Sequence, residues 1–226
     1  MISQSQYYEE NLYPLQDGVL NTVRNCGTRF FLTGGTALSR AYYKHRYSDD
    51  LDFFVNNDDE YDEQYKLILG RLAENGFFWD TETGFLKDKA FATLKVRWKK
   101  SDAELKLDFV NDTVPHFGNI IEMDLFDRID SVRNMLSNKL GALFRFAAKD
   151  IADIREIALH ESVNWIEIIR EAREKVGGLE IPVICDILKG MPESEFEQVN
   201  WISKPSWQTF CADIDRVVYE MMSGGE

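Results

Sequence analysis

The sequence predicts an α+β fold: a small mixed sheet with flanking helices, followed by a C-terminal helical bundle. Two observations carry that expectation. Short runs alternating apolar and polar residues all lie before residue 112, whereas from Ser131 onward apolar residues recur at three- and four-residue spacing. The change of period puts an α/β domain at residues 1–128 and a helical domain at 129–226. With 226 residues, 44% of them hydrophobic and 29% charged, the chain buries a core without staples.

Taken in order, residues 6–27 present Leu12, Leu15, Val19, Leu20 and Val23 on one helical stripe, and Gly27 stands where such a helix stops. Arg29 to Thr33 reads as a strand running into Gly34-Gly35, after which TALSRAYYK has helical spacing. Asp50 to Val55 is a second strand, with Leu51, Phe53 and Val55 on one face and Asp50 and Asp52 on the other. Glu60 to Asn75 forms a helix closed by Gly76. Phe91–Trp98 and Glu104–Val110 read as a β-hairpin joined by the five residues Lys99 to Ala103. Beyond Ser131, helical stripes run through Val132, Met135, Leu136, Leu140 and Leu143, then through Ile151, Ile154 and Ile157. Two further helices are expected, one over about 162–176 and one after Pro205.

Composition excludes several classes of function. Cys26, Cys185 and Cys211 are odd in number and widely spaced, which predicts neither a disulfide framework nor a zinc site. The first residues lack the basic start and apolar run of a secretory signal, and no stretch approaches the ~20 apolar residues of a spanning helix, so the expected compartment is the cytoplasm, away from membranes. A net charge of −13 argues against a non-specific nucleic-acid coat. A local basic groove stays open, because side chains within a Debye length of ~8 Å outweigh distant ones.

Two residues along a strand rise ~6.6 Å, so Asp50 and Asp52 lean from one face and converge on anything in front of them. Asp108 lies on a strand whose inner face is filled by Leu105, Leu107 and Phe109, and it projects the opposite way. Should these strands be neighbours, three acids meet, and oxygen-only ligands favour a hard cation, Mg²⁺ or Mn²⁺. Mg²⁺ leaves positions to water and substrate phosphates, which points to phosphoryl or nucleotidyl transfer. Gly34-Gly35 lets backbone N–H groups approach phosphate at a helix start, with Thr36 and Ser48 as hydroxyl donors.

The run Leu32 to Phe54, LTGGTALSRAYYKHRYSDDLDFF, resembles the signature of the polymerase-β-like nucleotidyltransferases. More narrowly, GGTAL followed by Arg46, Ser48 and Asp50 to Phe53 resembles the AbiEii/AbiGii toxin family of abortive-infection systems. Residues Asn138 to Ile154, NKLGALFRFAAKDIADI, resemble that family's later motif: a Lys, an Arg, a basic-Asp pair and a second acid three residues on. The resemblance implies a nucleotidyltransferase that moves NMP from an NTP to an acceptor hydroxyl on RNA, tRNA or protein, as the toxin of a toxin–antitoxin pair. It makes Asp50 and Asp52 the metal-binding pair and Asp108 the third acid, which activates the attacking hydroxyl. Gly34, Gly35, Thr36 and Ser48 then hold triphosphate, Lys139 reaches the nucleotide phosphates, and Asp150 belongs to the same later motif. Lys149 stands where the family more often has Arg, which keeps charge but loses the planar fork.

Blander readings accompany these. Asp50 and Asp52 also fit an acidic edge strand, and Lys139, among Leu136, Leu140 and Leu143, fits a lysine that snorkels to water. Arg145 reads equally as a helix-surface charge. Asp58, Asp59, Glu60 and Asp62 read as a solvated loop and an acidic first turn. Lys95, Arg97, Lys99 and Lys100 read either as a solvated strand and turn or as a seat for an acceptor such as a tRNA end. Trp201 and Trp207 are read as core or as a partner surface. A small-molecule nucleotidyltransferase of antibiotic-modifying type and a non-catalytic nucleotide-binding protein remain as alternatives; the negative charge favours a cationic small acceptor.

Overall fold

A computed structural model describes residues 3–82 and 84–224. It divides into two compact units, one of residues 1–113 with 120–130 and the other of 114–119 with 131–226.

The first unit is built on a six-stranded sheet of order β1-β2-β6-β5-β3, with β4 also paired to β5. The strands are β1 (Phe31–Thr33), β2 (Leu51–Asn56), β3 (Phe77–Phe78), β4 (Phe85–Lys87), β5 (Phe91–Trp98) and β6 (Ser101–Asp112). β2 and β6 run parallel, and the other pairings are antiparallel. Alternation sets the faces: Leu51, Phe53 and Val55 of β2, Ala92, Leu94 and Val96 of β5, and Leu105, Leu107 and Phe109 of β6 are all buried. Phe109 stacks on Phe53 with ring centroids 5.3 Å apart and meets Phe30 edge-on at 5.3 Å. The helices α2 (Tyr13–Asn25) and α4 (Tyr61–Glu74) pack on one another, and α2 also contacts β6. Ahead of α2, α1 (Gln4–Tyr7) is closed by a capping box at Ser3 and continues through a π-helical turn, Tyr8–Leu12.

The hairpin differs from its expected form. β6 begins at Ser101, so the connection shrinks from five residues to Lys99-Lys100, with a register shift at Arg97/Trp98. Ser101 Oγ donates to the Asn11 carbonyl at 3.2 Å, and a polar strand end held this way looks like loop in sequence. β3 and β4 were not anticipated, because two and three residues are too few to show a period.

Asp58 also corrects an expectation. Its side chain is 7% exposed and accepts from Arg29 Nε at 2.6 Å and Arg29 Nη2 at 2.5 Å, from Gln64 at 3.1 Å and from the Glu60 backbone N–H at 2.9 Å. The Arg29 guanidinium holds the Asp58 pKa down, from an ordinary 3.8 to about 2. A depressed folded-state value contributes stability above the unfolded pKa that disappears as pH falls through the folded one. Asp58→Asn is therefore expected to flatten the loss of stability between pH values of about 4 and about 2, read from urea midpoints across that window. Midpoints that fall as steeply in the variant would show that this pair carries none of the acid sensitivity.

The second unit is helical. It comprises α5 (Val132–Ala142) with a 3₁₀ turn at Leu143–Arg145, α6 (Ala148–His160), α7 (Trp165–Lys175), α8 (Ile181–Lys189), α9 (Glu193–Glu197) and α10 (Trp207–Ser223). Ser131 caps α5 by accepting from the Asn134 N–H, and Asn164 caps α7 in the same way. α8 was missed in the sequence, since nine apolar-rich residues with a proline in second place give little periodic signal, yet Ile184, Cys185 and Leu188 are buried and α8 packs on α10. Trp201 is buried against Phe196 and Phe210, which makes it core and removes it from any partner surface. Among the described residues no helix is long and apolar enough to cross a membrane.

Candidate active site

The Gly pair lies where β1 ends and α3 (Gly34–Thr36) begins, and the helix continues in π geometry over Ala37–Tyr43. Gly34 has φ +71, a left-handed conformation, and a Cβ there would overlap the Asp52 carboxylate. At Gly35 a Cβ would meet Arg46 Nη2 at 2.5 Å and Ser48 Oγ at 2.9 Å. The two glycines thus let an acid and a polar pair approach bare backbone. Arg46 is 4% exposed and donates to the Tyr47 carbonyl at 3.0 Å; as part of this cradle it is a residue to which sequence reading gave no role.

Asp52 lies on β2, between the edge strand β1 and β6. In register it faces Thr33 across β1 and Asp108 across β6. The neighbours of the two acids, Leu51, Phe53, Leu107 and Phe109, are fully buried, so Asp52 and Asp108 share the opposite face. Asp50 stands one residue before β2, half-buried. Thr36 is fully buried and its Oγ1 donates to the Asp50 carbonyl at 2.5 Å, so the hydroxyl expected to meet phosphate instead pins the backbone of the acid pair. Ser48 is nearly buried against Gly35, and its carbonyl accepts from Gln16 Nε2 at 2.9 Å.

Asp108 Oδ2 accepts from Lys106 Nζ at 2.5 Å, while Asp108 Oδ1 is shielded from solvent with no hydrogen-bond partner. Burial pulls the Lys106 pKa down, but the carboxylates of Asp108, Asp50 and Asp52 outweigh it and the net shift is upward. One ammonium therefore feels all three acids. An oxygen-only donor set, an orphaned carboxylate oxygen and a glycine cradle fit a hard divalent cation. Among the described residues no three His, Cys, Asp or Glu side chains are gathered at ligand spacing.

In the second unit the later motif forms an ion-pair cluster. Asp150 Oδ1 accepts from Lys139 Nζ at 2.8 Å and Arg145 Nη2 at 2.7 Å, Asp150 Oδ2 from Arg145 Nε at 2.6 Å, and Asp153 Oδ2 lies 2.6 Å from Lys139 Nζ. Both aspartates have no exposed surface and Lys139 is 7% exposed. Lys139 therefore does not snorkel: its ammonium sits between two carboxylates. Asp150 has no accessible surface in this arrangement, its carboxylate being held by Lys139 and Arg145. Burial raises the Asp150 pKa, but Arg145 and Lys139 overcome it and hold the carboxyl below its ordinary value. Asp153 is the partner that site reasoning left without a role; its i+3 spacing from Asp150 on α6 was the available signal.

Gly34→Ala is expected to destabilise the first unit by about 1–2 kcal/mol and to depress activity beyond what stability explains, because the new methyl pushes the Asp52 carboxylate aside. Parallel urea titration and transfer assays check this; unchanged activity would show that the contact has no functional weight.

The mixed sheet carries a glycine-pair turn against an Asp-x-Asp segment, with a third acid in register beside it, the arrangement that the resemblance to the polymerase-β-like nucleotidyltransferases implies. Residues 21–218 match the model of the Nucleotidyl transferase AbiEii toxin family, described as a type IV toxin–antitoxin system, and the chain belongs to that family. Its structure is similar to the crystal structure of JHP933 from Helicobacter pylori (TM-score 0.68, 17% identity, 100% of this chain and 95% of that chain). It is also similar to MenT4, a nucleotidyltransferase toxin from Mycobacterium tuberculosis (TM-score 0.61, 15% identity, 94% of this chain and 82% of that chain). No curated protein matches the sequence.

Proposed function

We propose that this nucleotidyltransferase moves NMP from an NTP to an acceptor hydroxyl at the end of an RNA such as a tRNA, as the toxin partnered in the cytoplasm by a cognate antitoxin. The parallel register that sets Asp52 beside Asp108, with Gly34 bare against Asp52, is the observation that carries the reading. Asp50, Asp52 and Asp108 hold Mg²⁺ or Mn²⁺. The bound ion supplies charge neutralisation on the attacking and leaving oxygens. Gly34, Gly35 and Ser48 support the triphosphate, and in the second unit Asp150 and Asp153 hold the Lys139 ammonium.

In the transfer step the acceptor oxygen forms a bond to Pα, the bond from Pα to the bridging oxygen of the β-phosphate breaks, and pyrophosphate leaves. The hydroxyl proton passes to the Asp108 carboxylate. Lys95 and Arg97 alternate onto the same sheet face as Asp108 and pair with Glu104 at 3.2 Å and 2.8 Å. Exposed pairs of this kind are worth ~0–1 kcal/mol, so acceptor phosphates can compete for both cations.

Incubating the protein with each labelled NTP, Mg²⁺ and total RNA tests the reading. A labelled RNA band is expected with the wild type and none with Asp52→Ala. Equal labelling by the variant would remove the assignment. Labelling of a small amine-bearing acceptor and not of RNA would favour the small-molecule reading, which the net charge of −13 supports.

A further inference from the structure

The acids of the open face are not alone: Lys106 stands among them, two residues from Asp108 on β6 and on the same side of the strand. We infer that Lys106 is the resident counter-ion of Asp108 and is displaced when a divalent cation loads, so that this lysine sets the free-ion concentration at which the site fills. The inference rests on the metal-binding reading of Asp50, Asp52 and Asp108.

Three observations lead to it. Lys106 Nζ lies 2.5 Å from Asp108 Oδ2, so its positive charge opposes that of any divalent ion drawn to the same carboxylate. Lys106 is also the direct cross-strand partner of Lys95, and like charges placed opposite one another are destabilising. Each lysine is drawn to its own acid, Lys95 to Glu104 at 3.2 Å and Lys106 to Asp108.

Displacement is structurally cheap. The Lys106 side chain is 40% exposed, whereas that of Asp108 is 15% exposed, so the ammonium has a route to water that the acid lacks. A lysine suits this use better than an arginine, since its point charge on a flexible stem swings away while a planar fork would hold the carboxylate with two bonds. The consequence is competition: a divalent ion drawn to this carboxylate works against the charge of the ammonium already on it. Removing the ammonium tightens ion binding even though it leaves the protein more negative and less comfortable without metal.

Manganese binding by the full-length protein, followed by electron paramagnetic resonance without nucleotide, tests this independently of catalysis. Lys106→Met is expected to bind Mn²⁺ about fivefold more tightly than the wild type, with Lys106→Arg at or below the wild-type affinity. Equal or weaker binding by Lys106→Met overturns the role of the lysine while leaving the metal site standing. No binding by any of the proteins, Asp52→Asn included, overturns the metal reading and this inference with it. A measurement free of variants covers the case in which Lys106→Met fails to fold: acetylation of Lys106 in the wild type, read by peptide mass spectrometry, is expected to speed up when Mg²⁺ is added. An unchanged rate would show that the ammonium stays on Asp108.

Discussion

Asp52→Asn is expected to reduce nucleotide transfer by roughly 10³-fold while leaving the urea midpoint close to that of the wild type. Asn has the shape of Asp, so the close approach to Gly34 survives and the sheet register through Thr33 and Asp108 is kept. What is lost is the negative charge that Asp52 places on the open face. Transfer of a labelled NMP to RNA, measured beside a denaturation curve, separates the two effects. A variant that retains more than about a tenth of the activity would place the chemistry elsewhere. Asp58→Asn serves as the contrasting case, since that acid spends its charge on Arg29 and is expected to leave transfer unchanged.

The second large effect concerns stability. Lys139→Met removes the ammonium held between Asp150 and Asp153, both without exposed surface, and leaves Arg145 on Asp150. Breaking a buried ion pair in this way is expected to cost about 3–5 kcal/mol. The pH dependence gives the sign. In the wild type the depressed Asp150 pKa contributes stability that is present above the unfolded-state value and lost as pH falls. In the variant the buried charges are the burden, so its deficit should narrow as acid protonates them. Urea unfolding of the full chain at neutral and acid pH checks both statements, and a deficit under about 1 kcal/mol at neutral pH would mean that water screens the cluster. The same result governs how any loss of transfer in Lys139 variants is read: activity has to be compared at temperatures where the variant is folded.

Much of the open face was legible in the sequence. Period-two alternation alone put Leu51, Phe53, Leu107 and Phe109 inward and Asp52 and Asp108 outward, because a pleated strand leaves no other choice. That β2 and β6 are parallel neighbours was not legible, since pairing is set by long-range contacts that no local pattern encodes. Glycine at position 34 was legible as a turn, but its necessity comes from the Asp52 carboxylate, a contact across eighteen positions of chain that only coordinates reveal. Thr36 and Lys139 mark the opposite case. Residue type and motif pointed each toward phosphate, while burial committed the hydroxyl to the Asp50 carbonyl and the ammonium to Asp150 and Asp153. Lys106 escaped because a lysine on a solvent-facing strand position carries no signal until its cross-strand and same-face neighbours are known.

The most direct test of the central claim is an anomalous difference map from crystals grown with Mn²⁺ and a non-hydrolysable NTP. The account expects a manganese peak bound by Asp50 and Asp52, within reach of Asp108, with the Lys106 ammonium moved off Oδ2. A nucleotide bound with no metal density beside these carboxylates, or a peak held by other residues, would contradict it.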